Sequence, residues 1–208
     1  MTARLHSRAL NLSPAAVIPG GCLLVIASGK LAHAVAVLGA LAWVYGLTSL
    51  VIYAAARILP RQGRTWLFSF LASFMAGVYL FALWLFSPLC ALEVFFAVSL
   101  VPVFYIGVSG RFDAPGALSA ADSFFSSFFE SVSLGVLILA VALIREPLGF
   151  VSLSLPGGAQ GSVMLFSFRI ESFLPVRLIA SSGGALLLLG YFWCLYRFMN
   201  KGDNKDAQ

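Results

Sequence analysis

The chain has 208 residues, of which 61% are apolar and only 10% are charged. A soluble domain carries roughly 25% charged residues, so this composition excludes an ordinary soluble protein and predicts an integral membrane protein. The net charge is +5, but the cations flank apolar segments and form no continuous basic stripe, which excludes a nucleic-acid-binding protein.

Six apolar segments are candidates for membrane spans. A helix needs about 20 apolar residues to cross the hydrocarbon of a bilayer, and the first segment is short for that. The sequence therefore predicts one all-α integral membrane domain over residues 1–208, with six transmembrane helices and a polar cytoplasmic tail at 199–208. The segments cover residues 13–28, 31–56, 66–86, 89–108, 124–144 and 176–198.

Proline and glycine interrupt the first and fourth segments. The first is interrupted at residues 19–22, and the fourth is interrupted from Pro102 to Gly107 and at Gly110. Such paired interruptions point to a transport-type site near the membrane midplane, because backbone outside a helix survives in a bilayer only where protein or water surrounds it. Kinks that serve only helix packing are the alternative explanation. We predict broken first and fourth helices.

The two halves of the chain follow the same plan. Ser28-Gly29-Lys30 follows the first segment and Ser109-Gly110-Arg111 follows the fourth, each ahead of a long apolar segment. Because each half contains three spans, the two halves would insert in opposite orientations. The sequence therefore predicts two inverted three-helix repeats, at residues 12–86 and 87–198.

The basic residues divide unequally between the two sides of the membrane. Six spans place both termini on one side, and basic residues in short loops stay in the cytoplasm. Both termini are therefore predicted to be cytoplasmic. The cytoplasmic side would carry nine cations and the other side four: Arg4, Arg8, Arg57, Arg61, Arg64, Arg111, Arg197, Lys201 and Lys205 against Lys30, Arg145, Arg169 and Arg177.

Two carboxylates and a histidine lie inside the second, fourth and fifth apolar segments. Glu130 lies within the fifth segment and is a candidate for an ion pathway, because ionisable groups at membrane depth commonly serve ion paths or pair with each other. A carboxylate at a helix end is the equal alternative. His33 and Glu93 lie nearer to the ends of their segments, and we interpret both as interfacial residues.

The fifth segment is followed by Arg145-Glu146-Pro147 and then Gly149. Adjacent residues point in different directions on a helix, so Arg145 and Glu146 are interpreted as caps or anchors of a turn and not as a mutual pair. Pro147 is expected to stop the helix, and Gly149 is expected to let the chain turn. The following region, 150–175, is too polar and irregular to span and is predicted to pack at the outer face.

Four stretches carry a resemblance to a known family. In this order and spacing they resemble the six-helix subunits of the Rnf and sodium-pumping Nqr electron-transport complexes, closest to the RnfE/NqrD branch. The resemblance runs over nearly the whole chain. The stretches are Pro14 to Ser28 with Gly20-Gly21-Cys22, Arg57 to Ser73, Gly107 to Ala114 with Gly110-Arg111, and Ile144 to Leu155 with Arg145-Glu146 and Gly149.

The resemblance implies a cofactor site and partner subunits. In that family each of two homologous subunits is understood to donate two cysteines, one from each broken helix, to a [2Fe-2S] cluster inside the membrane. Cys22 matches the first ligand position, whereas the second falls at Ile106, or at Tyr105 if the register shifts by one, and neither is a cysteine. The implied partners are a homologous RnfA/NqrE-like subunit, the other subunits of the complex and membrane lipids.

The missing cysteine leaves the function open between three hypotheses. Cys90 lies 16 residues before Ile106, about 24 Å along a helix, and cannot replace it. By resemblance, the chain is a bacterial inner-membrane subunit, not an enzyme alone, that carries or gates electrons coupled to sodium or proton transport. The alternatives are a small inverted-repeat secondary transporter or channel without redox chemistry, and a structural subunit that has lost its cluster.

Overall fold

A computed structural model describes residues 14–55, 64–108, 120–157, 162–167 and 177–203 of the chain. These residues are mostly helical, but the predicted all-α fold needs a correction, because part of the region 150–175 forms an antiparallel β-hairpin. The elements are α1 (Pro14–Ala27), α2 (Leu31–Ala55), α3 (Arg64–Phe86), α4 (Pro88–Val108), α5 (Ala120–Phe150), β1 (Ser152–Pro156), β2 (Ser162–Ser167), α6 (Arg177–Ala180) and α7 (Ser182–Asp203).

Four helices of the described part are long and apolar enough to cross a membrane, in the stretches Leu31–Val51, Trp66–Phe86, Pro88–Tyr105 and Ser131–Phe150. They correspond to the second to fifth predicted spans. By contrast, α1 has 14 residues, about 21 Å of helix and less than the hydrocarbon thickness. The apolar stretch of α7 in the described part is Ser182–Tyr191, and α7 itself continues to Asp203, into the region predicted as a tail.

The surface of the helical bundle is apolar and aromatic. The share of its membrane-crossing stretch that is buried is only 17% for α3, against 56% for α2, so α3 is peripheral. Such a surface would aggregate in water and suits contact with lipid tails, which together with the four spans indicates a membrane protein. The exposed aromatic side chains of α3 and α4 include Trp66, Phe70, Phe74, Phe81, Trp84, Phe95 and Phe96.

Neither of the two predicted helix breaks is present among the described residues. Helix α1 is continuous through residues 19–22, and α4 is continuous through Pro102 as far as Val108, whereas Gly110 lies outside the described residues. Proline and glycine are tolerated in membrane helices when neighbouring helices pack around them. What remains of the prediction is that the described part of α1 is short, at 14 residues.

Helix α2 lies at the centre of the bundle. It packs most extensively against α5, and also against α3, α4 and β1, while α1 packs against α4. Leu38 of α2 contacts Gly135 of α5 so closely that a Cβ at position 135 would collide with its side chain. Close contact between two spans thus depends on the absence of a side chain at Gly135.

The end of α5 also differs from the prediction. The helix continues through Pro147 and ends at Phe150, and Val151, not Gly149, has a positive φ, of 54°. The Val151 amide donates to the carbonyl of Pro147 at 3.2 Å, which closes the last turn before the hairpin. Arg145 and Glu146 therefore lie inside the last turns of α5 and can reach neighbouring helix ends.

Candidate functional site

Helices α1 and α4 meet at a buried aromatic cluster. A Cβ on Gly20 would lie 2.7 Å from Cε2 of Phe104, so the ring lies directly against the backbone of α1. Tyr45 of α2 packs edge-on against Tyr105, with ring centroids 4.6 Å apart, and lies 6.5 Å from the Phe104 ring. The two segments in which the sequence predicted interruptions are thus in direct contact.

Cys22 lies on the outward side of this contact. Its side chain is exposed on the isolated chain, and a Cβ on neighbouring Gly21 would meet nothing within 4 Å. Ile106, the position that the resemblance assigns to a second cysteine, lies in the last turns of α4. The face of α1 that carries Gly21 and Cys22 is therefore open for contact with lipid or another subunit.

The other thiols do not complete a ligand set. Cys90 is buried near the start of α4, and Cys194 is exposed on α7. Among the described residues, no group of three or more His, Cys, Asp or Glu side chains could hold a metal ion. Half of a four-thiolate cluster requires two neighbouring thiolates, and the described part of the chain offers one on α1 and none beside it on α4. On α4, therefore, the described residues offer no second thiolate for the [2Fe-2S] cluster of the resemblance.

Arg145 joins the ends of two helices. Its Nη1 donates to the carbonyl of Val25 at 3.1 Å and to Oγ of Ser28 at 3.0 Å, at the C-terminus of α1. Its Nε and Nη2 donate to the carbonyls of Ile179 and Ala180, at 3.1 and 2.7 Å, at the C-terminus of α6. A cation is favourable where unpaired helix carbonyls converge, so the guanidinium acts as a shared C-cap.

Glu146 caps a third helix. Its Oε2 accepts a hydrogen bond of 2.6 Å from the backbone amide of Leu31, the first residue of α2. A carboxylate is favourable at the positive end of a helix, and Glu146 is only 1% exposed while Arg145 is 5% exposed. Arg145, Glu146 and Ser28, called here the capping cluster, thus hold together the ends of α1, α2, α5 and α6.

Gly149 serves packing and not a turn. A Cβ at this position would lie 3.0 Å from Cα of Ala180, so the absence of a side chain lets α6 approach α5. This approach brings the carbonyls of Ile179 and Ala180 within reach of Arg145. The glycine that follows the Arg145-Glu146 pair therefore supports the capping cluster.

A second polar group lies at the same end of the bundle. His33 Nε2 and Oε2 of Glu93 are 2.6 Å apart, and Nζ of Lys30 lies 3.5 Å from the same oxygen. His33 and Glu93, called here the exposed pair, join α2 to α4 across 60 residues of sequence. Their side chains are 15% and 45% exposed. The sequence analysis treated them as separate interfacial residues; the only sequence signal for a pair was that both lie near the starts of helices predicted to begin on one side.

Two other predicted residues remain without a described environment. Glu130 lies inside α5, but its side chain is outside the described part, and Gly110 is outside it altogether. The structure thus brings together Gly20 with α4, and Arg145 with Glu146 and Gly149. No protein-family model and no curated protein match this chain.

Proposed function

We propose that this chain is a membrane subunit of an Rnf/Nqr-type complex, which couples electron transfer to the movement of sodium ions or protons. In this proposal it lies in the bacterial inner membrane with both termini in the cytoplasm. It pairs there with a homologous RnfA/NqrE-like subunit through the face of α1 that carries Cys22.

The pattern of helix contacts supports the two inverted repeats on which the proposal depends. If the two halves are repeats, α1, α2 and α3 correspond to α4, α5 and α7, and exchanging the two sets should turn each helix contact into another contact. The pairs α1–α4 and α2–α5 are then unchanged, and the pairs α2–α3, α3–α4 and α2–α4 become α5–α7, α7–α1 and α5–α1. All of these pairs are in contact, whereas the contact of α1 with α2 has no counterpart of the same extent between α4 and α5. The matching pairs are the single observation that carries the proposal.

The helix directions support the same arrangement. Leu31 at the start of α2 meets Glu146 near the end of α5, so these two helices run in opposite directions. Val25 near the end of α1 also meets Arg145, and Lys30, just after α1, meets Glu93 near the start of α4. Helices α1 and α4 therefore also run oppositely, as two inverted copies require.

The number and position of the cysteines limit what the chain does within such a complex. Because the described residues supply only Cys22 at the α1–α4 contact, we derive no electron-transfer step through a cluster held half by this chain. Its proposed share is to support the partner subunit and to gate ion movement.

Purification from native membranes tests the proposal. A tagged chain should bring down a homologous six-helix subunit and flavin-containing subunits in fixed ratio. Isolation as a homo-oligomer without flavin would contradict it and favour the inverted-repeat transporter, which needs no second thiol.

The role of Cys22 is tested separately within the purified complex. Cys22→Ser and the control Cys194→Ser both change an exposed thiol, but only Cys22 lies on α1 beside the α4 contact. A change in the iron paramagnetic resonance signal in Cys22→Ser alone would make Cys22 a ligand that the partner completes. Identical signals in both variants would leave the chain with its structural and gating share only.

A further inference from the structure

The proposed function assigns no task to the exposed pair. We propose that His33 and Glu93 form a proton-binding pair, which takes up and releases protons at the end of the bundle that carries the hairpin. The role of this pair in coupled transport rests on the proposed function, whereas proton binding itself is a property of this chain alone.

The location of the pair is the first argument. His33 lies in the membrane-crossing stretch of α2, and Glu93 lies in that of α4. An ionisable side chain within a span is costly, and those that occur commonly belong to ion paths, proton relays or pairs. The capping cluster accounts for its two charged side chains through helix ends, but neither His33 nor Glu93 caps a helix terminus.

The geometry of the pair suits a shared proton. At 2.6 Å between Nε2 and Oε2, the imidazole and the carboxylate are close enough to share one proton. Uptake breaks one O–H bond of a hydronium ion and forms one N–H or O–H bond on the pair, which raises its charge by one. Release reverses this step, and imidazole is the side chain that most readily exchanges a proton near neutral pH.

The exposure of the two side chains gives the pair a direction. The Glu93 side chain is 45% exposed and the His33 side chain only 15%, so the carboxylate faces outward and the imidazole faces the bundle. Protons from outside would therefore reach the carboxylate first.

The surroundings favour a proton over a metal cation. Lys30 from the turn before α2 lies 3.5 Å from the carboxylate, so a sodium ion here would meet both an ammonium group and an imidazole. The titratable side chains nearest to the pair on α3 and α4 are Cys90, three residues before Glu93, and Tyr79, whose hydroxyl bonds to the Ala36 carbonyl of α2; β1 has no titratable side chain. From α5, Arg145 and Glu146 are directed to helix ends.

A further polar contact lies one turn deeper. Ala36 follows His33 by three residues and lies on the same side of α2. The hydroxyl of Tyr79 donates to the Ala36 carbonyl at 2.7 Å. Beyond it the next two turns of the inward side of α2 are apolar and buried, at Val37, Ala40, Leu41 and Val44, and buried polar side chains follow at Tyr45, Thr48 and Ser49. The pair is therefore a terminal proton-binding station, and any continuation across the membrane would use another route.

The isolated chain tests proton binding without reference to any complex. The sequence contains two histidines, so His6→Gln leaves His33 as the only histidine for nitrogen NMR in detergent micelles. The His33 ring signals should respond to added protons, and Glu93→Gln should alter that response. Signals that are insensitive to pH, or unaltered by Glu93→Gln, would overturn the proposal.

Proteoliposomes containing the purified complex test the role in transport. Glu93→Gln keeps the shape and a hydrogen-bond acceptor but does not take up protons, and it should lower proton uptake per electron by about tenfold or more. Glu93→Asp should restore part of it. The control is Ser99→Ala, because the exposed Ser99 hydroxyl bonds to the Phe95 carbonyl of its own helix.

The outcomes separate the two proposals. Normal proton uptake by Glu93→Gln would mean that the pair is only a tie between α2 and α4, and would overturn the inference while leaving the proposed function intact. If the chain purifies without a redox complex, the proposed function fails, and the NMR measurement alone decides whether the pair binds protons.

Discussion

The capping cluster and the exposed pair lie on two sides of the same short turn, between α1 and α2, yet they use charge in opposite ways. Arg145 and Glu146 are buried and directed at the ends of three helices, so their charges are neutralised by fixed backbone groups. His33 and Glu93 are partly exposed and directed at each other. At this end of the bundle, hydrogen bonds to helix ends account for the buried charges of Arg145 and Glu146, whereas the exposed pair is the group that we propose to be functional.

The largest expected effect comes from removing the guanidinium of the capping cluster. Arg145→Ala leaves three carbonyls and the Ser28 hydroxyl without their donor, and each buried polar group that loses its partner typically costs about 1–3 kcal/mol. We expect that loss in the free energy of unfolding by SDS from mild detergent micelles. Lys30→Ala, a control at an exposed cation of the same end, should cost less than about 1 kcal/mol. Equal losses in the two variants would remove the distinction between the clusters.

The second effect concerns the carboxylate that caps α2. Glu146→Ala removes the acceptor of the Leu31 amide, and loss of a hydrogen bond to a charged group costs about 1.5–3 kcal/mol. Glu146→Gln keeps an acceptor oxygen without the charge and should lose about half as much. Amide hydrogen exchange at the start of α2 should rise in both variants, and more in Glu146→Ala. Protection that is unchanged in Glu146→Ala would show that the cap does not hold this helix end.

The third effect contrasts the filled and open sides of α1. Gly20→Ala would place a Cβ 2.7 Å from Phe104, and such overpacking typically costs about 1–3 kcal/mol. Gly21→Ala is the matched control, because a Cβ there meets nothing within 4 Å, and the gain in helix propensity should stabilise α1 by about 0.5–1 kcal/mol.

The two glycine variants should therefore change the free energy of unfolding in opposite directions. Combining Gly20→Ala with Phe104→Leu should recover part of the loss. Equal stability of Gly20→Ala and Gly21→Ala would contradict the close packing of α1 against α4 at Gly20.

The sequence was sufficient for features that depend on composition and on neighbouring residues. Apolar runs of about 20 residues predict the four long spans directly. Adjacent opposite charges followed by proline indicate that Arg145 and Glu146 act at helix ends. Neighbouring residues did not predict which helix ends they cap, since the cap of α2 joins residues 115 apart in sequence.

The incorrect predictions share one physical cause, which is that tertiary packing overrides local preference. Proline and glycine at 19–22 favour a break, but α1 stays helical there, with Gly20 against the ring of Phe104. Pro147 likewise does not end α5, whose last turns are held by the contacts of Arg145 and Glu146. The exposed pair was missed for a related reason, because no periodicity connects His33 with a carboxylate 60 residues away.

The smallest expected effect on stability belongs to the exposed pair, and it completes the comparison. Glu93→Gln should change the free energy of unfolding by less than about 1 kcal/mol, because a partly exposed ion pair contributes little, and the amide can still accept a hydrogen bond from His33. Glu93→Gln should strongly lower proton uptake per electron. Glu146→Gln should lower the free energy of unfolding more than Glu93→Gln does. It should lower proton uptake only as far as it lowers the amount of assembled complex. Measuring both variants by SDS unfolding and in proteoliposomes separates the roles. If Glu93→Gln destabilises the chain as much as Glu146→Gln, both clusters are structural, and exposure would not mark function at this end of the bundle.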